Sequence, residues 1–321
     1  LPGVFTPYTQ GGCCMTTADI ERLNRAFAID KHVRFASGPG GLVVAHIDNP
    51  HATAMVALQG AHVMTYQPRG QEPVLWLSGH AKFSPGKSIR GGVPICWPWF
   101  GPHVSEPAFP GHGFARTVLW EVLSTQATGA GATRLVFRLA AASKNTQQWP
   151  HPSDVTLTVT IGARLELDLA TVNSGSEALV LGDALHTYFT VGDVRKIVIS
   201  GLEGCPYIDK VDASKRKVQT GGVTIGAEVD RIYLDSERDC IIEDPVLGRR
   251  LRIAKRHSRS TIVWNPWIEK AAKMGDFGPD GYLGMVCVES ANADADVVSI
   301  PPGGEHHLQV VYSVESMGDK A

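Results

Sequence analysis

The chain has 321 residues, with 30 Lys and Arg against 32 Asp and Glu and a formal net charge of -2. Apolar residues make up 43% and charged residues 19%, which excludes a disordered chain and gives no global electrostatic case for a nucleic-acid partner. Glycine (34) and proline (20) are above average abundance, which suits many turns and excludes a coiled coil.

Leu1 to Cys14 has neither a charged n-region nor an apolar h-region, so it is not expected to act as a secretory signal. Met15-Thr16-Thr17 reads like a natural start, and residues 1–14 are expected to be an appendage or processing remnant. One helix follows, with Thr17 as N-cap, Asp19 and Glu21 in the first turn, and Ile20, Leu23 and Phe27 near helical spacing. Beyond it the pattern is strand-like. Candidate strands are Leu42 to Ile47, Val155 to Ile161, Leu165 to Leu169, Leu179 to Phe189, Lys196 to Ile199, Ser260 to Val263, Met285 to Val288 and Leu308 to Val314. Asn173-Ser174-Gly175, Gly221-Gly222, Pro279-Asp280-Gly281 and Pro301 to Gly304 punctuate them. A second short helix fits Trp267 to Met274. Many short strands and few helices predict an all-β fold, a large antiparallel β-sandwich with a short N-terminal helix. The pattern runs unbroken, so residues 15–321 are expected to form a single domain.

Six cysteines are too sparse for a disulfide scaffold; Cys96, Cys205, Cys240 and Cys287 sit in or beside apolar runs and read as buried thiols. No stretch approaches the roughly 20 apolar residues of a membrane span. A soluble cytoplasmic monomer without nucleic-acid or membrane partners is expected.

Several familiar motifs fail. Gly86-Lys87-Ser88 ends like a phosphate loop, but Ala81 stands where its first glycine belongs. Gly38-Pro39-Gly40-Gly41 precedes a strand instead of following one. No zinc motif or Gly-x-Ser-x-Gly elbow is present. His306 and His307 are adjacent on a strand and so point to opposite faces. No metal and no cofactor is expected.

Five segments are rich in functional residue types. Ser88 to Pro102 joins Arg90 and a glycine pair to aromatics and prolines, which fits a rigid loop beside a ligand or a packed structural loop equally well. His112-Gly113-Phe114-Ala115-Arg116 offers a second arginine, and Arg90 with Arg116 can form a fork for an anion; taken singly, each reads as a surface ion pair. Asp183 to Phe189 carries His186 inside an apolar run, where a satisfied core histidine is the commoner case and a general acid or base the functional one. Glu228 to Tyr233 reads in isolation as a charged turn entering a strand. Met285 to Asn292 places Glu289 at the end of an apolar strand, where a carboxylate is costly unless paired or used.

Ile89-Arg90-Gly91-Gly92-Val93-Pro94, His112-Gly113-Phe114-Ala115-Arg116, His186-Thr187-Tyr188-Phe189, Asp230-Arg231-Ile232-Tyr233, Trp264-Asn265-Pro266 and Cys287-Val288-Glu289 stand in that order over Val43 to Val314. Together they resemble the hexose-6-phosphate mutarotases, or glucose-6-phosphate 1-epimerases, of the aldose 1-epimerase superfamily. The resemblance implies a β-sandwich of the galactose-mutarotase type and an isomerase of the EC 5.1.3 class acting on a hexose 6-phosphate. It implies His186 as general acid and Glu289 as general base. It makes Asp230 a carboxylate for sugar hydroxyls, Arg90 and Arg116 the 6-phosphate pair, and His112 part of the active-site wall. One departure stands out: Gly111 occupies a position where some relatives carry a polar, substrate-contacting residue. Two alternatives remain, an aldose 1-epimerase for unphosphorylated hexoses and a non-catalytic sugar-phosphate-binding protein. A retaining glycosidase using Asp230 and Glu289 would leave His186 without a role.

Overall fold

The computed structural model describes residues 15–318. Its helix spans Thr17–Phe27, and the cap lies one residue earlier than the spacing suggests. The side chain of Thr16 accepts from the Asp19 amide, and the Asp19 carboxylate accepts from the Thr16 amide. This reciprocal capping box satisfies two donors that a helix start leaves open. Leu23 is buried against the sandwich. The second helix, Trp267–Lys273, falls where the sequence places it.

Two eight-stranded antiparallel sheets dominate the described residues. The first runs, edge to edge, through Lys215–Val218, Pro206–Asp209, Val229–Tyr233, Ser260–Asn265, Met285–Asn292, Asp183–Leu185 and Ile95–Cys96, with Tyr188–Thr190 also paired to Met285–Asn292. The second runs through Val198–Ser200, Cys240–Asp244, Arg249–Arg256, Glu305–Ser316, Leu165–Asn173, Ser153–Ile161, Thr133–Leu139 and Trp120–Ala127. Val263, Val286 and Val288 of the first sheet and Leu157, Leu167 and Val310 of the second share one buried cluster. Fully burying such a side chain is worth about 1.5–3 kcal/mol. A four-stranded sheet, Val33–Ser37 to His62–Pro68, joins the same cluster.

The apolar run Leu179 to Phe189 reads as one strand, but the structure breaks it into three. Leu179–Leu181 pairs with Val298–Ile300 in a separate two-stranded sheet, while Asp183–Leu185 and Tyr188–Thr190 join the first large sheet. At Gly182 the chain crosses so close to Asn292 that a Cβ would lie 3.0 Å from its carbonyl oxygen. The second break, at His186, leaves a tight bond from the Thr187 amide to the Leu185 carbonyl (2.8 Å), a γ-type turn centred on the histidine. Cys96, Cys205, Cys240 and Cys287 are free and buried, as their apolar settings imply; Cys13 and Cys14 lie outside the described residues. No helix among the described residues is long and apolar enough to cross a membrane.

Candidate active site

The outer face of the first sheet, turned away from the inter-sheet core, carries the site. Register decides which side chains share that face, because directly paired residues of neighbouring strands point the same way. Asp230 is opposite Trp264, Trp264 opposite Cys287, Ile262 opposite Glu289, and Tyr188 opposite Cys287. The second helix and the segment after it cover part of this face through Ala271, Phe277 and Tyr282. The rest opens into a cavity of about 630 Å³ lined by Arg90, His112, Arg116, His186, Asp230 and Glu289. All six residues singled out from the sequence therefore meet in one place. The volume is within the range of small-molecule sites, roughly 300–1,000 Å³.

His186 is held by backbone bonds on both sides. Its amide donates to the Pro94 carbonyl (3.0 Å), and the Tyr188 amide donates to Gly92 (2.9 Å). The imidazole stacks on the Tyr188 ring at 5.0 Å and 8° and meets Trp264 edge-on. Its Nδ1 lies 3.3 Å from Glu289 Oε1, without the alignment of a hydrogen bond. Glu289 is 1% exposed, and its Oε2 has no partner among the described residues. Burial pushes the Glu289 carboxyl well above its ordinary value, with Asp230 adding to the effect and Arg116 opposing it. Burial also pushes His186 well below the ordinary imidazole value, helped by His112, Arg116 and Arg90. The two opposite shifts favour the uncharged form of the pair, with the shared proton on the glutamate rather than on the imidazole.

The two arginines differ. Arg90 donates from Nε to Asp276 (3.2 Å) and from Nη1 to the Tyr188 hydroxyl (2.9 Å), so its charge already meets a carboxylate. The glycine pair behind it is a steric requirement: at Gly91 and Gly92 φ is positive, and a Cβ would come within 2.5 Å of Trp76 O and 2.3 Å of Val63 O. Arg116 donates from Nη2 to the Gly111 carbonyl (2.8 Å) and makes no ion pair among the described residues. A Cβ at Gly111 would meet nothing nearer than 3.8 Å, so the position has room for the side chain that some relatives carry.

His112 Nδ1 accepts from the Gly101 amide (3.2 Å), which leaves the hydrogen of the neutral ring on Nε2. Burial lowers its pKa to about 3, with Arg116 and Arg90 contributing. Burial raises the Asp230 carboxyl, which lies 3.8 Å from Lys270 Nζ.

In and beside the cavity are residues that sequence reasoning missed. Lys210 and Lys270 line it near Asp230, so four cationic side chains face the space. Asp276 comes from the turn after the second helix, 186 residues from Arg90, and no local pattern announces it. Tyr188, quoted in a motif but given no role, links His186 to Arg90 by its ring and its hydroxyl.

A model of the family described as aldose 1-epimerase matches residues 44–313. The chain belongs to the aldose 1-epimerase family. A family relative from Escherichia coli, provisionally named a glucose-6-phosphate 1-epimerase, is 40% identical over 248 residues, 77% of this chain and 82% of its own. A plant relative with the same name, from Cenchrus ciliaris, is 32% identical and covers 81% of this chain and 80% of its own. Among solved structures of the family fold, a Salmonella typhimurium protein provisionally described as a mutarotase superposes with a TM-score of 0.83 at 32% identity, covering 92% of this chain and 99% of its own. A galactose mutarotase-like protein from Clostridium acetobutylicum, at 14% identity and a TM-score of 0.67, shares the epimerase fold.

Proposed function

We propose that this protein interconverts the α and β anomers of hexose 6-phosphates, glucose 6-phosphate among them. One observation carries the reading: a buried histidine and glutamate, 3.3 Å apart, share a cavity with an arginine that lacks a carboxylate partner among the described residues. The provisional names of the relatives from Escherichia coli and Cenchrus ciliaris point to the same substrate.

Anomerisation needs a proton removed from the C1 hydroxyl and one delivered to the ring oxygen. The neutral pair becomes the required carboxylate and imidazolium when its proton crosses from Glu289 Oε1 to His186 Nδ1. Phosphate binding at Arg116 favours that transfer, because it screens the positive charge that disfavours imidazolium. Glu289 then takes the O1 proton and His186 protonates the ring oxygen. The open aldehyde rotates about C1–C2 and recloses on its other face with the roles reversed. Lys270 and Asp230 engage hydroxyls at the other end of the sugar, and Trp264 gives the ring an apolar wall.

Arg116 supplies the strongest hold on the phosphate, with Arg90 beside it. Charge-assisted bonds of this kind are worth on the order of 1.5–3 kcal/mol each. The same reading suits the cytoplasm, where the four buried free thiols of the described residues stay reduced. Anomer-exchange NMR on a substrate panel tests the function. Faster exchange on glucose 6-phosphate than on glucose supports it. Equal rates favour a general aldose 1-epimerase. Binding of glucose 6-phosphate without exchange leaves a sugar-phosphate-binding protein.

A further inference from the structure

The mechanism uses two side chains of a group of three. Cys287 lies two residues before Glu289 on the strand Met285–Asn292 and points to the same face. One ligand-type atom each from His186, Cys287 and Glu289 lies within 4.8 Å of the others. Cys287 is fully buried, and Glu289 Oε2 has no partner among the described residues. We propose that His186, Cys287 and Glu289 form a site for one zinc-class divalent cation, and that its occupation blocks the anomer exchange proposed above.

The donor set and its spacing argue for this ion class. Nitrogen, sulfur and carboxylate oxygen suit a borderline-soft cation, whereas magnesium and calcium take oxygen ligands. Tetrahedral zinc, with ligands at about 2.0–2.3 Å, keeps its donor atoms roughly 3.3–3.7 Å apart. The Nδ1–Oε1 approach of 3.3 Å already matches one such edge. The other edges lie within 4.8 Å and must close by side-chain rotation, because neither backbone moves freely. Cys287 and Glu289 sit on a central strand, and His186 is clamped through the Pro94 carbonyl. Three protein ligands leave the fourth position facing the cavity, the arrangement of an open rather than a closed zinc site.

On binding, the thiol proton and the proton of the His186–Glu289 pair pass to solvent. Thiolate and carboxylate then balance the two charges of the ion. Arg90 and Arg116 oppose a cation here, but Asp276 pairs with Arg90, and Asp230 lines the same cavity. The bound ion occupies the histidine lone pair and the carboxylate, so neither can move a proton. The blockade depends on the functional reading; the binding does not.

The test titrates Co²⁺ alone, as a spectroscopic substitute for Zn²⁺, into the reduced full-length protein. The expected result is a thiolate-to-cobalt charge-transfer band at one equivalent, removed by added Zn²⁺ and absent in Cys287→Ala. Cys287→Ser serves if the alanine protein does not fold. Zn²⁺ should inhibit anomer exchange in the wild type. In Cys287→Ala it should inhibit at least the ~10–100-fold less well that loss of even an outer-shell partner costs a metal site. Mg²⁺ should have no effect. No charge-transfer band in the wild type, or equal zinc inhibition of both proteins, would overturn the site. A band without inhibition overturns the blockade alone. A band in a protein that does not anomerise glucose 6-phosphate keeps the site and defeats the functional reading.

Discussion

The two large sheets have the same number of strands and opposite outer faces. In the second, burial alternates along nearly every strand, as in Ser153–Ile161 and Arg249–Arg256. Its outer face carries Arg134, Arg164, Glu166, Asp168 and Arg252 in water, with pairs such as Arg164–Glu166. In the first sheet, Ser260–Asn265 and Met285–Asn292 are buried at every position. A strand covered on both faces has no reason to hold a carboxylate unless that group is used. Glu289 is such a group, and it marks the sheet that carries the chemistry. Charge alone would have pointed to the wrong sheet.

The comparison can be broken by substitution. The largest effect belongs to the first sheet. His186→Ala should cut turnover by about 10²–10⁴-fold, the usual worth of a general acid or base, with thermal stability nearly unchanged. Steady-state exchange rates and a melting curve check both halves. In the second sheet, Leu157→Ala should do the reverse. It should cost about 2–5 kcal/mol of stability, read by denaturant unfolding, while the folded fraction keeps its turnover. If Leu157→Ala abolished turnover in folded protein, the division between the sheets would fail.

The arginines give a smaller effect within the site. Arg116→Ala should raise KM for glucose 6-phosphate more than KM for glucose, by a factor corresponding to about 1.5–3 kcal/mol. Arg90→Ala should raise it too, but adding Asp276→Ala should recover part of that loss, because a lone Asp276 would repel the phosphate. No recovery in the double variant would mean that Arg90 binds phosphate despite its ion pair. The smallest effect is in the pH profile. The pair must hold one proton. With His186 depressed, a second proton is added only well below pH 6.5; with Glu289 raised, the first is kept well above pH 4.5. The kcat/KM for glucose 6-phosphate, which reads the enzyme before substrate binds, should therefore not fall as pH rises through 6.5. An ordinary carboxylate–imidazolium pair would lose activity there.

Legibility in the sequence follows the same division. Strands with clean alternation are read with the right type: Val155 to Ile161 has nearly the right ends, and Leu165 to Leu169 the right start, though the strand runs on to Asn173. Segments such as Thr133–Leu139 and Arg249–Arg256 escape notice because polar residues also take inward positions, Thr133 in the first and Arg249 and Lys255 in the second, and interrupt the apolar half of the pattern. The broken run at Gly182 and His186 is invisible for the opposite reason. All its residues are compatible with one strand, and the breaks come from partners about a hundred residues away. His186 and Glu289 stand out as polar groups in apolar runs, and Arg90 by its glycine pair. Arg116 stands out only as a possible second arm of an anion fork; its bond to Gly111, and the carboxylate of Asp276 beside Arg90, are facts of tertiary contact.

The central claim is that the buried His186–Glu289 pair drives anomer exchange on a phosphorylated hexose. The most direct test is exchange NMR on glucose 6-phosphate with purified wild-type protein and Glu289→Gln, a substitution that keeps the shape and removes the proton acceptor. The account predicts rapid exchange in the wild type and a loss of about 10²–10⁴-fold in the variant, with the melting temperature preserved. Near-normal exchange by a folded Glu289→Gln protein would contradict it.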